Sequence, residues 1–164
     1  MVRIGSRAGY YLFLYPTRSL MNSVTHQSFL VVEDSEEDFT ALRRAIKNSP
    51  MKGNMIRFED GDAVLNFLRE PGIKEIVLVF ILLDLNLPGT DGKAVLKIIK
   101  KEERLRSIPV IVFTTSTDER DVNECYALGA DSYMVKPMAY QELKKKMAIL
   151  EQYWLNRTSL PRYI

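Results

Sequence analysis

The chain has 164 residues, 46% of them apolar and 27% charged, the profile of an ordinary soluble globular protein of one domain with short extensions. A net charge of +2 gives no electrostatic footprint for nucleic acid or for an anionic membrane surface, and no apolar run has the length of a membrane span. Cys125 is the only cysteine, which excludes an intrachain disulfide and fits a reducing cytosol, so a cytoplasmic location is expected.

Residues 1–28 carry Arg3, Arg7 and Arg18 and no acid. The apolar stretch Tyr10-Tyr11-Leu12-Phe13-Leu14-Tyr15 is short for a secretion signal, is interrupted by Pro16 and Arg18, and has no A-x-A-like cleavage site. Met21 would lead directly into the first strand. Residues 1–20 therefore read as a leader without regular structure or as a misplaced start, with 1–27 set apart from a domain over 28–152.

The first strand is Phe29-Leu30-Val31-Val32, and it runs into Glu33-Asp34. Ser35 is a candidate N-cap, with Asp38 three residues on as an approximate capping box. Phe39, Leu42, Ala45 and Ile46 then follow at helical spacing, and Pro50 and Gly53 stop the helix. A short strand over 55–58 is followed by a turn at Glu59-Asp60-Gly61-Asp62 and a second helix through Ala63, Leu65, Phe67 and Leu68, ended by Pro71-Gly72.

The run Ile76-Val77-Leu78-Val79-Phe80-Ile81-Leu82-Leu83 lacks alternation, which predicts a central parallel strand buried on both faces, and it ends in Asp84. After a loop with Pro88 and Gly89, Asp91 caps a third helix bearing Val95, Ile98 and Ile99. Val110-Ile111-Val112-Phe113 is the fourth strand and runs into Thr114-Thr115. Ser116-Thr117-Asp118 begins a fourth helix that stops at Gly129. Tyr133-Met134-Val135 is a short fifth strand ending in Lys136-Pro137, and Leu143, Met147, Leu150 and Trp154 mark the inner stripe of a fifth helix. Five strands alternating with five helices predict a doubly wound α/β sandwich.

In such a sheet the carboxyl ends of the strands share one edge, where these folds place their sites. Glu33, Asp34, Asp84, Thr114 and Lys136 all fall there. Three carboxylates, a hydroxyl and an ammonium compose a Mg²⁺-dependent phosphoryl site. Asp84 can attack phosphorus to form an acyl phosphate, and the acidic pair is better suited to holding the metal. Lys136 supplies a compact cation, and Thr114 a hydroxyl donor, to phosphoryl oxygens.

Five motifs, in order and at strand ends, resemble the receiver domain of two-component response regulators: Val32-Glu33-Asp34, Leu83-Asp84-Leu85-Asn86-Leu87-Pro88, Asp91-Gly92, Phe113-Thr114-Thr115-Ser116 and Gly129-Ala130-Asp131-Ser132-Tyr133-Met134-Val135-Lys136-Pro137. The resemblance implies a flavodoxin-like sheet of five parallel strands in order 2-1-3-4-5. It makes Asp84 the phosphoacceptor, with Mg²⁺ on Glu33, Asp34, Asp84 and the backbone carbonyl of Asn86. It makes Thr114 and Tyr133 the switch pair, and Asn86 and Ser116 positions that tune phosphoryl lifetime. Thr115 departs from the alanine or glycine common in the family, and a slower self-hydrolysis is expected from its size. The family holds the bond before Pro137 cis, so a cis bond is expected here.

A narrower likeness, carried by Leu83-Asp84-Leu85-Asn86-Leu87-Pro88, the Thr114-Thr115-Ser116 run and the tail from Tyr153, is to the stand-alone regulators paired with phytochrome kinases. It implies a sensor histidine kinase of phytochrome type or a histidine phosphotransfer protein as partner. It also implies a homodimer through Ile149, Tyr153, Trp154 and Leu155, with 153–164 as a C-terminal extension. No nucleic-acid or membrane partner is expected, and the short stretch after the fifth helix leaves no room for an output domain. The chain reads as a self-phosphorylating and self-dephosphorylating receiver rather than a turnover enzyme.

Plainer readings stand beside these. Glu33-Asp34 alone is a helix-leading acidic turn, Asp60-Gly61-Asp62 a solvent-facing turn, Lys144-Lys145-Lys146 a solvated helix face, and His26 incidental. Two rival functions differ in class. A haloacid-dehalogenase-type phosphohydrolase also uses a strand-end aspartate but needs an acid two residues on, where Asn86 stands. A phosphorylation-independent pseudo-receiver usually lacks one of the acids or the lysine.

Overall fold

The computed structural model describes residues 2–4, 10–14, 27–47, 54–70 and 77–154. Pro50, Gly53, Pro71, Gly72, His26 and Leu155 lie outside the described residues.

In chain order the elements are β1 (Val2–Ile4), β2 (Tyr10–Leu14), β3 (Gln27–Val32), α1 (Glu36–Lys47), β4 (Asn54–Phe58), α2 (Gly61–Arg69), β5 (Val77–Leu83), α3 (Gly92–Lys101), β6 (Val110–Thr114), α4 (Glu119–Ala127), β7 (Ser132–Val135) and α5 (Tyr140–Trp154). The sheet order is β1-β2-β4-β3-β5-β6-β7. From β4 onward every pairing is parallel. Numbered from β3, those strands give the expected 2-1-3-4-5 order.

Within the leader the structure departs from the expectation of no regular structure. β1 and β2 pair antiparallel, and β2 pairs antiparallel with β4, with Tyr10 opposite Phe58 and Phe13 opposite Met55. The aromatic and leucine run that is too short for a secretion signal has strand composition, and the edge of β4 offers it hydrogen-bond partners. At the other end α5 reaches Trp154, the last residue of the stripe expected on the fifth helix.

Two apolar clusters lie on opposite faces of the parallel sheet. One joins Leu30 and Val32 of β3 and Ile81 and Leu83 of β5 to Val64 and Leu68 of α2, Val95 and Ile99 of α3, and Cys125 of α4. The other joins Phe29, Val31 and Phe80 to Phe39, Leu42 and Ile46 of α1 and to Leu143, Met147 and Leu150 of α5. The β5 run has no alternation because both faces are covered. It also carries an irregularity, since Ser28 pairs with Leu78 but Leu30 pairs with Ile81. The extra residue puts Val79 and Phe80 on the same face, where Phe80 stacks on Phe29 with ring centroids 5.1 Å apart.

Helix starts are set by short acids and a serine, as the N-cap pattern predicts. Ser35 Oγ accepts from Asp38 N at 3.2 Å, Asp60 from Ala63 N at 2.7 Å, Asp91 from Ala94 N at 3.0 Å, and Asp118 from Arg120 N at 2.9 Å. Asp60 thus begins α2 one residue inside the stretch expected to be only a turn. Gly92 opens α3 because a Cβ there would sit 2.1 Å from the Asp84 carbonyl oxygen, so only glycine lets the helix approach the end of β5.

Candidate functional site

The strand ends deliver their polar residues to one edge. β3 runs into Glu33 and Asp34, and the Glu33 N–H donates to Phe58 O of β4 at 2.9 Å. β5 runs into Asp84, whose N–H donates to Val32 O at 3.0 Å. β6 ends in Thr114, and Lys136 N donates to Thr114 O at 2.7 Å, which carries the β6–β7 register one step past β7.

This register brings the lysine in. Lys136 Nζ lies 2.6 Å from Glu33 Oε2, 2.7 Å from Asp84 Oδ2 and 2.8 Å from Asp38 Oδ2. Asp84 uses its two oxygens differently. Oδ2 meets the ammonium, and Oδ1 accepts the backbone N–H groups of Leu85 at 2.6 Å and Asn86 at 3.3 Å. Glu33 Oε1 accepts Ser35 N at 3.1 Å, which ties the acid to the start of α1.

Glu33, Asp34 and Asp84 each offer an oxygen, and these oxygens lie within 4.8 Å of one another. Glu33 and Asp84 are buried and Asp34 is exposed, so the cluster opens to solvent on one side. An all-oxygen, all-carboxylate set of this span fits a hard divalent cation that keeps waters in its remaining positions.

Burial pushes the Glu33 carboxyl up to about 7, against the hydrogen bond and charge of Lys136 and with the Asp84 charge adding to the rise. Burial acts on Lys136 in the opposite sense, favouring the neutral amine. The hydrogen bonds that Lys136 donates to Asp38, Asp84 and Glu33 outweigh it and hold the lysine above its ordinary range. One ammonium shared by three carboxylates stays charged, and the most buried acid is the one that takes up a proton near neutrality.

Thr114 is fully buried, and its Oγ1 has no hydrogen-bond partner among the described residues. A buried hydroxyl is ordinarily satisfied, so this donor fits a site built for an incoming acceptor. Behind it, Tyr133 is half-buried, and its hydroxyl donates to the Ser116 carbonyl at 3.1 Å while its N–H donates to Tyr126 Oη at 3.2 Å. Ser116 Oγ donates to Asp121 on α4, and Asp121 also accepts from Lys93 of α3 at 2.8 Å. The loop after β6 is thereby linked to both Tyr133 and α4.

Other expected residues fall in different places. The Asn86 and Thr115 side chains are exposed at the rim. Ile149 and Tyr153 are exposed on α5, remote in sequence from the acids, and Trp154 packs against the α1–α5 core with its ring edge-on to Tyr153. The cis bond expected before Pro137 is corrected: the chain has no cis peptide bond among the described residues. The hydrogen bond from Lys136 N to Thr114 O sets the direction of the lysine without one.

Two residues at the site were missed as such. The sequence alone offers Asp38 only as a helix-capping partner. Its N–H is indeed capped by Ser35, but its carboxylate, a turn beyond Asp34, reaches Lys136. Arg57 was passed over within β4, yet a charged residue between Ile56 and Phe58 in a strand-sized apolar run was a visible signal.

The sequence from 29 to 148 matches the family model described as response regulator receiver domain. The chain is 38% identical over 134 residues to the probable methanogenesis regulatory protein FilR2 of Methanothrix harundinacea, covering 80% of this chain and 86% of that one. It is 39% identical over 134 residues to the response regulator Rcp1 of Synechocystis, covering 80% and 91%. The crystal structure of the Mn²⁺-bound form of Rcp1 superposes with a TM-score of 0.73 at 37% identity, covering 82% of this chain and 98% of that one. The phosphorylated cyanobacterial phytochrome response regulator RcpA superposes with a TM-score of 0.76 at 33% identity, covering 83% and 99%. With the 2-1-3-4-5 parallel sheet and the acids, threonine and lysine gathered at its carboxyl edge, this match makes the chain a member of the response regulator receiver family of two-component signalling.

Proposed function

We propose that this protein accepts a phosphoryl group on Asp84 from a sensor histidine kinase, directly or through a histidine phosphotransfer protein, and signals by protein contacts. The observation that carries this reading is the convergence on Asp84: Glu33 and Asp34 within metal-sharing distance of it, and Lys136 Nζ at 2.7 Å from its Oδ2.

In the proposed reaction an Asp84 oxygen bonds to phosphorus as the bond from phosphorus to the donor's leaving group breaks. Glu33, Asp34, Asp84 and the Asn86 carbonyl would hold Mg²⁺, which would supply charge neutralisation for the transferring group. Lys136 places its ammonium beside the attacking carboxylate, and Thr114 Oγ1 donates to a phosphoryl oxygen. The same donor is the natural start of the switch. Movement of Thr114 toward the phosphoryl frees room behind it for Tyr133, which must leave the Ser116 carbonyl to turn inward. Asn86, Thr115 and Ser116 set how easily water reaches the acyl phosphate. Its loss by self-hydrolysis makes the protein a timed receiver rather than a turnover enzyme.

The likenesses to Rcp1 and RcpA favour a phytochrome-type kinase as the partner and light as the input. A homodimer through Ile149, Tyr153, Trp154 and Leu155 is part of the same reading and is supported by the exposure of Ile149 and Tyr153. A cytoplasmic place accords with these partners. Among the described residues no helix is long and apolar enough to cross a membrane.

The test is the intact mass of wild type and Asp84→Asn after incubation with acetyl phosphate and Mg²⁺. A single phosphoryl adduct on wild type, absent from the variant and without Mg²⁺, is expected. A folded wild type that gains no adduct and does not respond to beryllofluoride overturns the reading in favour of a phosphorylation-independent interaction module. Steady turnover of small phosphate esters would instead indicate a phosphohydrolase.

A further inference from the structure

Arg57 is a cation inside a strand. Its side chain is 3% exposed, between the apolar residues Ile56 and Phe58 of β4 and in register with Val31 of β3. A guanidinium in such a place is costly unless its donors are satisfied, and here they are. Nε donates to the Glu33 carbonyl at 3.2 Å, and Nη2 donates to the Asp34 carbonyl at 3.3 Å. Nη1 pairs with Glu36 in the first turn of α1 and with Glu59 at 3.2 Å, after β4. The guanidinium carbon lies 4.2 Å from the centroid of the Phe39 ring, which holds the plane of the group.

What Arg57 grips is therefore the backbone of the two acids themselves. Glu33 and Asp34 sit in the short connection where the chain leaves β3 and turns into α1, with the Glu33 N–H still bonded to Phe58 O and the two carbonyls turned to Arg57. Their carboxylates face Asp84, and like charges at that distance push the connection outward. A planar fork donating to two successive carbonyls resists that push, which a single-point ammonium cannot do. Glu36 and Glu59 offset the charge of Arg57, so it steadies the acids without presenting an unpaired cation to a metal.

We infer that Arg57 is a positioning residue for the metal-binding acids: by clamping the Glu33 and Asp34 carbonyls from β4 it sets the geometry in which their carboxylates share a Mg²⁺ with Asp84. This rests on the phosphoryl-acceptor reading of the site. A small octahedral ion tolerates little misplacement of its ligands, so loss of the clamp registers as weaker metal binding.

The experiment measures Mg²⁺ binding to the full chain by calorimetry, and the rate of phosphorylation by acetyl phosphate as Mg²⁺ is varied, for wild type, Arg57→Met, Arg57→Lys and Glu36→Gln. Arg57→Met keeps the apolar stem against Phe39 and is expected to raise the Mg²⁺ dissociation constant about tenfold, with the rate at saturating Mg²⁺ within about twofold of wild type. Arg57→Lys restores the charge but not the two-carbonyl grip, and is expected to keep most of that defect. Glu36→Gln leaves the grip intact and is expected to bind Mg²⁺ as wild type does. A folded Arg57→Met with wild-type Mg²⁺ affinity overturns the inference. Where Arg57→Met does not fold, Arg57→Lys decides, and a wild-type constant there overturns it equally. An equal loss in Glu36→Gln would assign the effect to charge rather than to the clamp. A wild type that binds no Mg²⁺ overturns the reading of the site itself and is distinguishable from all of these.

Discussion

Lys136 Nζ lies 2.8 Å from Asp38 Oδ2, a contact across 98 positions of sequence, and the same ammonium meets Asp84 at 2.7 Å. Asp38 thus competes with any phosphoryl group on Asp84 for the Lys136 ammonium. Its side chain is 43% exposed, so the pairing is screened and modest in strength. Asp38→Ala is expected to raise the initial rate of phosphorylation by acetyl phosphate about threefold, a change of well under 1 kcal/mol, and to leave the folding midpoint nearly unchanged. Intact-mass time courses at fixed Mg²⁺ check the rate. A slower variant would show that Asp38 helps aim the lysine rather than diverting it.

The raised carboxyl of Glu33 makes the metal-free protein sensitive to pH. Folded Glu33 holds its proton to about pH 7, whereas the unfolded chain releases it near the ordinary value of 4.5. Between those values the folded state binds the extra proton, so the contribution of Glu33 to stability is full below 4.5 and is lost as pH rises through 7. Mg²⁺ needs the ionised form. Its affinity is expected to climb by up to about tenfold per pH unit below neutrality and to level off above it. Calorimetry across that range tests this, and Glu33→Gln should bind weakly with a flatter profile.

Thr115 is exposed beside the buried Thr114, and in the proposed reading its bulk slows the approach of water to the acyl phosphate. Replacing it by alanine removes bulk without touching the Thr114 hydroxyl. The phosphorylated Thr115→Ala protein is expected to lose its adduct about threefold faster than wild type, read from intact mass after removal of acetyl phosphate. An unchanged half-life would remove Thr115 from the set that controls lifetime.

Gly92 is constrained by contact rather than by its dihedral angles. An alanine Cβ would lie 2.1 Å from the Asp84 carbonyl oxygen and 2.6 Å from the Leu85 Cα, both backbone and neither free to swing away. Gly92→Ala is expected to destabilise the fold by about 1–3 kcal/mol, the usual cost of overpacking, and to displace the turn that presents Asp84. Urea unfolding gives the first quantity and the phosphorylation rate the second.

The parallel sheet, the strand ends and the polar residues they carry were legible because apolar runs ending in acid, hydroxyl or ammonium are local patterns. Leu143, Met147 and Leu150 were placed in the core for the same reason, their spacing on one helix face. Asp38 and Arg57 were not, because each acts on a residue remote in sequence, and the local context of each offered a sufficient plainer use: a helix cap for Asp38 and a strand position for Arg57. The pairing of Tyr10–Leu14 with β4 was hidden for a related reason. A short aromatic run has strand propensity wherever it stands, and only a neighbouring edge makes it a strand. The trans bond before Pro137 marks the limit of resemblance, which carried over a backbone state that the local residues do not demand.

The irregular step in β5 decides which side of the molecule Asp84 belongs to. Side chains alternate along a strand, and the additional residue at Val79–Phe80 inverts the alternation for all that follows, so that Ile81 and Leu83 face α2, α3 and α4. Asp84 inherits its direction from that inversion. Deleting Phe80 would not merely shorten the strand. It would also remove the ring stacked on Phe29, while Ile81 stayed opposite Leu30 and Leu83 opposite Val32 in a regular ladder, so the carboxylate would keep its direction toward Glu33 and Lys136. A strand with one residue more than its neighbour thus keeps its polar end aimed by bulging rather than by turning over.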